Sequence, residues 1–161
     1  MFTLNLGYVP AGVSWKPEVY VAADVLSGDD NPGDDRWKVF DTLYGTNHKF
    51  YGFMDYFVNI PLNTYGGGLV DTWGRFKCTP LKKTPLMLDV HYFQSQQNVS
   101  LSDDTVSKKF GTEVDFTLMH EYTTNLTFFL GASWFGPDAI FEDKKGTDSS
   151  TWFYAWTVFN I

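Results

Sequence analysis

The chain reads as an all-β protein: an antiparallel meander of about eight strands forming an outer-membrane β-barrel. Three observations lead there. Greasy and polar residues alternate in segments of about ten, which places one set on each face of a strand. Aromatic residues make up 19% of the chain, an excess that suits both strands and the aromatic girdles of a membrane barrel. Long and short connections alternate, as they do between the two rims of such a barrel.

Phe2 to Val9 forms the first expected strand, closed by the turn Pro10-Ala11-Gly12. The second runs from Lys16 to Leu26, with Val19, Val21, Ala23 and Val25 on one face and Glu18, Tyr20, Ala22 and Asp24 on the other. Ser27 to Asp35 is too rich in Asp, Gly and Pro for a strand. A third strand is expected over Lys49 to Ile60 and a fourth over Leu69 to Thr79, followed by the tight connection Pro80 to Pro85. The fifth covers Leu86 to Gln96, and the polar loop Gln97 to Ser107 leads to the sixth, Lys108 to Met119.

That sixth strand shows the pattern best. Phe110, Thr112, Val114, Phe116 and Leu118 share one uncharged face, while Glu113 and Asp115 lie on the other. A seventh strand, Leu126 to Phe135, and an eighth, Ser150 to Ile161, flank the loop Gly136 to Ser149. Helical periodicity is absent throughout. The whole chain, 1-161, forms one barrel domain or a piece of one.

Composition excludes several classes. Twelve basic against nineteen acidic residues give a net charge of -7, which argues against a basic nucleic-acid-binding face. One cysteine, Cys78, leaves no internal disulfide framework and no cysteine metal cluster. No run of eighteen apolar residues occurs, so no transmembrane helix is expected. Met1 to Leu6 lacks the basic start and cleavage site of a signal peptide, so a barrel beginning here is expected to be mature, truncated or a fragment.

Phe40-Asp41-Thr42-Leu43-Tyr44-Gly45-Thr46-Asn47-His48-Lys49-Phe50-Tyr51-Gly52-Phe53-Met54-Asp55-Tyr56-Phe57 resembles a segment typical of alginate-export-type outer-membrane β-barrels. Gly111 to Leu118, Asn125 to Phe128, Leu130 to Phe135 and Trp152 to Ile161 resemble that family's last hairpin and final strand. The family's barrel is porin-like, of roughly sixteen to eighteen strands, so this chain would supply its C-terminal portion. Asn160-Ile161 departs from the terminal aromatic expected for the barrel-insertion machinery, with Phe159 close by. The resemblance implies passive passage or export of polysaccharide, alginate-like, or of small polar solutes across the outer membrane of a Gram-negative bacterium. It implies no enzyme activity and no cofactor, with outer-membrane lipid and the solute as partners.

Alternation assigns lumen-lining candidates: Glu18, Asp24, Lys49, Asp55, Asp71, Arg75, Lys77, Asp89, His91, Glu113 and Asp115, with Asn59 beside them. Arg75 and Lys77 are expected to meet Asp71, Asp89 and Glu113 across strands. Such charges brace and wet a wall, and their carboxylate surplus makes the lining cation-preferring. Trp152, Tyr154 and Trp156 share one face of the last strand, either as an interfacial girdle or as a stacking track for sugar rings. Tyr51, Phe53, Tyr56 and Phe57 are expected at one rim.

His48 and His91 have no third ligand in metal spacing, and His120 sits at a turn. Glu113 and Asp115, about 7 Å apart along one strand face, have the residue types of a glycosidase pair without any supporting motif. Asp29, Asp30, Asp34 and Asp35 do not match a calcium loop and are expected to be solvated. Two further functional classes fit the same alternation. One is a small closed barrel with a structural or adhesive role and no conducting path. The other is a soluble lipocalin-like binder with its apolar face turned inward.

Overall fold

The computed structural model describes residues 1–160. Seven of the eight expected strands are present: β1 (Phe2–Tyr8), β2 (Glu18–Leu26), β3 (Leu69–Leu81), β4 (Thr84–Ser100), β5 (Val106–Glu121), β6 (Leu126–Pro137) and β7 (Ser150–Phe159). Each pairs antiparallel with its neighbours in chain order, giving one meander sheet. Ile161, the expected end of the last strand, lies outside the described residues. Among those residues the sheet does not close, since β1 and β7 each pair with a single neighbour.

The expected third strand, Lys49 to Ile60, is not a strand. Tyr44, His48, Tyr51 and Asp55 take φ between 56° and 59°, and Gly52 takes 84°. Left-handed backbone of this kind cannot pleat. The aromatic run therefore belongs to one long connection between β2 and β3, with only a short helix, α1 (Ile60–Asn63), in it. Asn59 caps α1, its side chain accepting the Leu62 N–H at 3.0 Å.

A second helix, α2 (Ala139–Lys145), lies in the loop between β6 and β7, where no helix was expected. Asp138 caps it by accepting the Ala139 N–H at 2.7 Å. Lys144 and Lys145 fill the last turn, where cations complement the helix dipole.

Register separates the faces cleanly. Pairs such as Asp24↔Asp71, Arg75↔Asp89, Asp89↔Asp115 and Asp115↔Ser133 lie on one face, here called inner. The outer face carries Phe2, Leu4 and Leu6 of β1, Val19 and Val21 of β2, Leu88 and Val90 of β4, and Phe153 of β7, all exposed. Of the Asp, Glu, Lys and Arg residues in these strands, only Lys109, opposite Gln94 beyond the β5 bulge, falls on that outer register.

The β2–β3 connection folds back over the inner face. With α2 it encloses a core of Leu26, Phe57, Ile60, Phe93, Phe110, Phe135 and Phe141. Each buried phenylalanine contributes on the order of 2–3 kcal/mol. Phe110 is a correction. Simple alternation puts it outward with Phe116, yet it is fully buried. The β4–β5 register shifts between Phe93/Gln94, where the partners pass from Gly111 to Lys109. This bulge at Gly111 (φ 153°) reverses the parity of everything before it.

Tyr56 and Phe57 likewise leave the expected rim. Their rings pack on Phe141 at 5.5 and 5.6 Å between centroids.

Candidate functional site

Nine of the sequence-predicted wall residues converge on the inner face: Glu18, Asp24, Asp71, Arg75, Lys77, Asp89, His91, Glu113 and Asp115. Lys49 and Asp55 do not, because the strand meant to carry them is a loop. Lys49 is exposed, its Nζ 5.1 Å over the Phe50 ring. Asp55 accepts the His48 N–H at 2.8 Å and faces His48 Nδ1 at 3.1 Å.

The wall charges form specific pairs. Arg75 donates two bonds to Asp89, Nε to Oδ1 at 2.6 Å and a terminal nitrogen to Oδ2 at 2.8 Å. This fork-on-fork geometry is the strongest form of the pairing. Lys77 donates to Glu18 at 3.1 Å, so it meets neither Asp71 nor Glu113 as the sequence suggested. Asp71, 1% exposed, is held by His91 Nδ1 at 2.9 Å. Asp24 accepts from Trp73 Nε1 at 3.0 Å and from the Thr3 hydroxyl at 2.7 Å. His48 and His91 thus serve separate aspartates, and His120 Nδ1 lies 2.9 Å from the Thr84 hydroxyl.

Across this wall lies residues 40–58 of the long connection, a strap pinned at its middle. Met54 N–H donates to Glu113 Oε1 at 2.8 Å, and Phe53 N–H points at Asp115 Oδ2 at 3.4 Å. Glu113 is wholly buried and Asp115 is 1% exposed. Gly52 makes the approach possible, since a Cβ there would lie 2.5 Å from Glu113 Oε1. Tyr51 is half-buried in the same strap. Burial pushes its phenol up to about 12, with the Asp24 and Asp71 carboxylates adding to the effect.

The last strand contributes an aromatic ladder on the inner face. Trp152 and Tyr154 lie 4.7 Å apart, Tyr154 and Trp156 4.9 Å, and Phe129 of β6 extends the row at 4.9 Å from Trp156. The strap covers its middle, with His48 stacked on Trp152 at 4.9 Å and Phe53 on Tyr154 at 5.5 Å. All three rings therefore lie on the inner face of the sheet. Their faces are engaged with neighbouring rings. Tyr154 also leans over Gly131, where a Cβ would lie 2.0 Å from its ring, and its hydroxyl reaches Thr117 at 2.6 Å.

Two clefts remain beside the strap. One of about 450 Å³ is lined by Thr3, Asp24, Phe40, Tyr51 and Trp73 at the β1 side. The other, about 410 Å³, is lined by His48, Phe53, Asp55, Thr151 and Trp152 at the β7 side. Outside the wall, the acidic loop is organised by Lys38, whose Nζ bonds Asp30 and approaches Asp34 at 3.4 Å. The Lys38 bond holds Asp30 below the usual carboxylate range and raises Lys38 in turn. Among the described residues no group of three or more His, Cys, Asp or Glu side chains gathers around a point that could hold a metal ion.

Several members of the site escaped the sequence reading. Ser133 and Thr117 follow from parity alone once the strands are registered. Gly52, Phe53 and Met54 act through backbone N–H groups and shape, for which residue type gives no signal. No family model, curated protein or solved structure matches this chain.

Proposed function

We propose that this chain forms part of the wall of an outer-membrane β-barrel channel, through which polysaccharide of alginate type or small polar solutes pass without energy or cofactor. One observation carries the reading: the exposed face of the sheet is rich in Phe, Leu and Val and carries no charge but Lys109 at the loop end of β5, while the covered face holds nine charged or titratable side chains. A protein in water does the opposite. Hydrocarbon on the outer side removes the cost of the exposed apolar residues. A lipocalin-like binder would need the apolar face inside, which the register opposes.

Strand count supports a larger wall. In a meander of seven antiparallel strands β1 and β7 run the same way, so joining them directly would make a parallel pair. All-antiparallel closure needs an odd number of further strands, in keeping with the even totals of bacterial barrels. In such a channel the strap narrows the passage. Of the six inner carboxyl groups Glu18 and Asp24 stay part-exposed, and Asp24 has no cationic partner to match the Lys77 on Glu18, which makes the wetted lining cation-preferring.

Membrane fractionation tests the reading. The chain is expected in the lipid fraction, released only by detergent. A freely soluble monomer would overturn it.

A further inference from the structure

Each carboxyl beneath the strap has one oxygen engaged by a loop N–H. Glu113 Oε1 takes Met54 and Asp115 Oδ2 takes Phe53. Their other oxygens, Glu113 Oε2 and Asp115 Oδ1, are buried with no hydrogen-bond partner. The two groups share one face of β5, two residues apart. Ser133 Oγ, opposite Asp115 on β6, is also buried without a partner, and its one hydroxyl proton can serve one carboxyl oxygen and leaves the other unmet. A single proton on Oε2, donated to Oδ1, satisfies both at once and leaves Oε1 free to accept from Met54. Without it, two adjacent carboxylates shut away from water would repel each other and both lose solvation.

The surroundings leave this pair its own proton. On β4, His91 lies opposite Glu113 and Asp89 opposite Asp115. His91 is committed to Asp71 and Asp89 to Arg75, both partners on β3. Asp24 of β2 is bonded by Trp73 and Thr3. From β6 comes the neutral Ser133, opposite Asp115, and from β7 the phenol of Tyr154, bonded to Thr117. The strap itself brings Tyr51 and the His48–Asp55 pair. None of these groups is seen to hydrogen-bond Oε2 or Oδ1.

We propose that Glu113 and Asp115 share one proton as a clasp that holds residues 52–54 against the wall, making attachment of the strap pH-dependent. When base removes the proton to solvent, the pair carries two like charges and the strap lifts. In the proposed channel this widens the passage, a consequence that rests on the channel reading.

Infrared spectroscopy of the full chain in detergent, paired with amide hydrogen exchange, tests the clasp whether or not anything conducts. At neutral pH the wild type is expected to show a protonated-carboxyl band that Glu113→Gln lacks. On raising the pH that band should vanish as exchange at Phe53 and Met54 rises above the ordinary base-catalysed trend. Glu113→Gln, which keeps both bonds and does not titrate, should show only that trend. Asp115→Asn supplies the same comparison should the first variant misfold. Absence of a Glu113-dependent band at neutral pH, or excess exchange in the Gln variant following the wild-type course, would overturn the proposal.

Discussion

Gly52 rests so tightly against the carboxyl of Glu113 that a Cβ on it would lie 2.5 Å from Oε1, 2.6 Å from Cδ and 2.7 Å from Oε2. Its φ of 84° is also one that side chains disfavour. Gly52→Ala is therefore expected to add about 1–2 kcal/mol of backbone strain and to push the strap off the wall. Proteolysis at Tyr51 and Phe53 should accelerate while the far-ultraviolet β signal stays unchanged. Unaltered cleavage would mean the strap is not seated on Glu113.

The Arg75–Asp89 pair spans β3 and β4 with Asp89 almost wholly buried. Arg75→Ala leaves that carboxylate without its partner, at a cost of about 3 kcal/mol. Substituting Asn for Asp89 in the same background should recover much of the loss, because the stranded charge is gone. Urea unfolding in detergent reads both values. Equal stabilities of the single and double variants would refute this pairing.

Phe110 and Phe116 separate the bulge from plain alternation. Phe110→Ala opens the aromatic core beside Phe57 and Phe141 and should cost about 3–5 kcal/mol. Phe116 is 42% exposed on the outer face, so its truncation in detergent should cost less than half as much. Equal losses would return Phe110 to the outer face.

Asp143 ties α2 to the β4–β5 loop. Lys144, 2.8 Å away, and the Ser102 N–H, bonded at 3.1 Å, hold its carboxyl down to about 2. The folded group thus titrates below the ordinary carboxylate range, so its contribution is present above roughly pH 4 and disappears as pH falls towards 2. Protection of the Ser102 amide is expected to follow that course. In Asp143→Ala protection should be absent at every pH, and retained protection there would show that the tie lies elsewhere.

Period two was legible wherever a strand has different solvents on its two sides. That is why β2, β5 and β6 begin and end within a few residues of their expected bounds. The run from Lys49 to Ile60 misled for a physical reason. Tyr51, Phe53, Tyr56 and Phe57 favour strands by type, and nothing in their identity reports the left-handed backbone at Tyr51 and Asp55. Tertiary contacts with Glu113, Tyr154 and Phe141 decide that conformation. Parity recovered most of the charged wall, from Glu18 to Asp115, because charge and register agree there. It failed at Phe110, where one irregular residue pair inverts the faces. The clasp stayed hidden because two of its contacts are backbone N–H groups.

Which solvent lies on which side of β4 is the central question. Spin labels placed singly from Leu86 to Phe93, in a chain whose Cys78 is replaced by Ser and which is inserted in lipid bilayers, answer it through collision with oxygen and with a water-soluble relaxant. Labels at Leu86, Leu88, Val90 and Tyr92 are expected to meet oxygen dissolved in hydrocarbon, and those at Met87, Asp89, His91 and Phe93 to be shielded from it. Water-soluble relaxant reaching the even-numbered positions as readily as oxygen would contradict a membrane-facing outer wall.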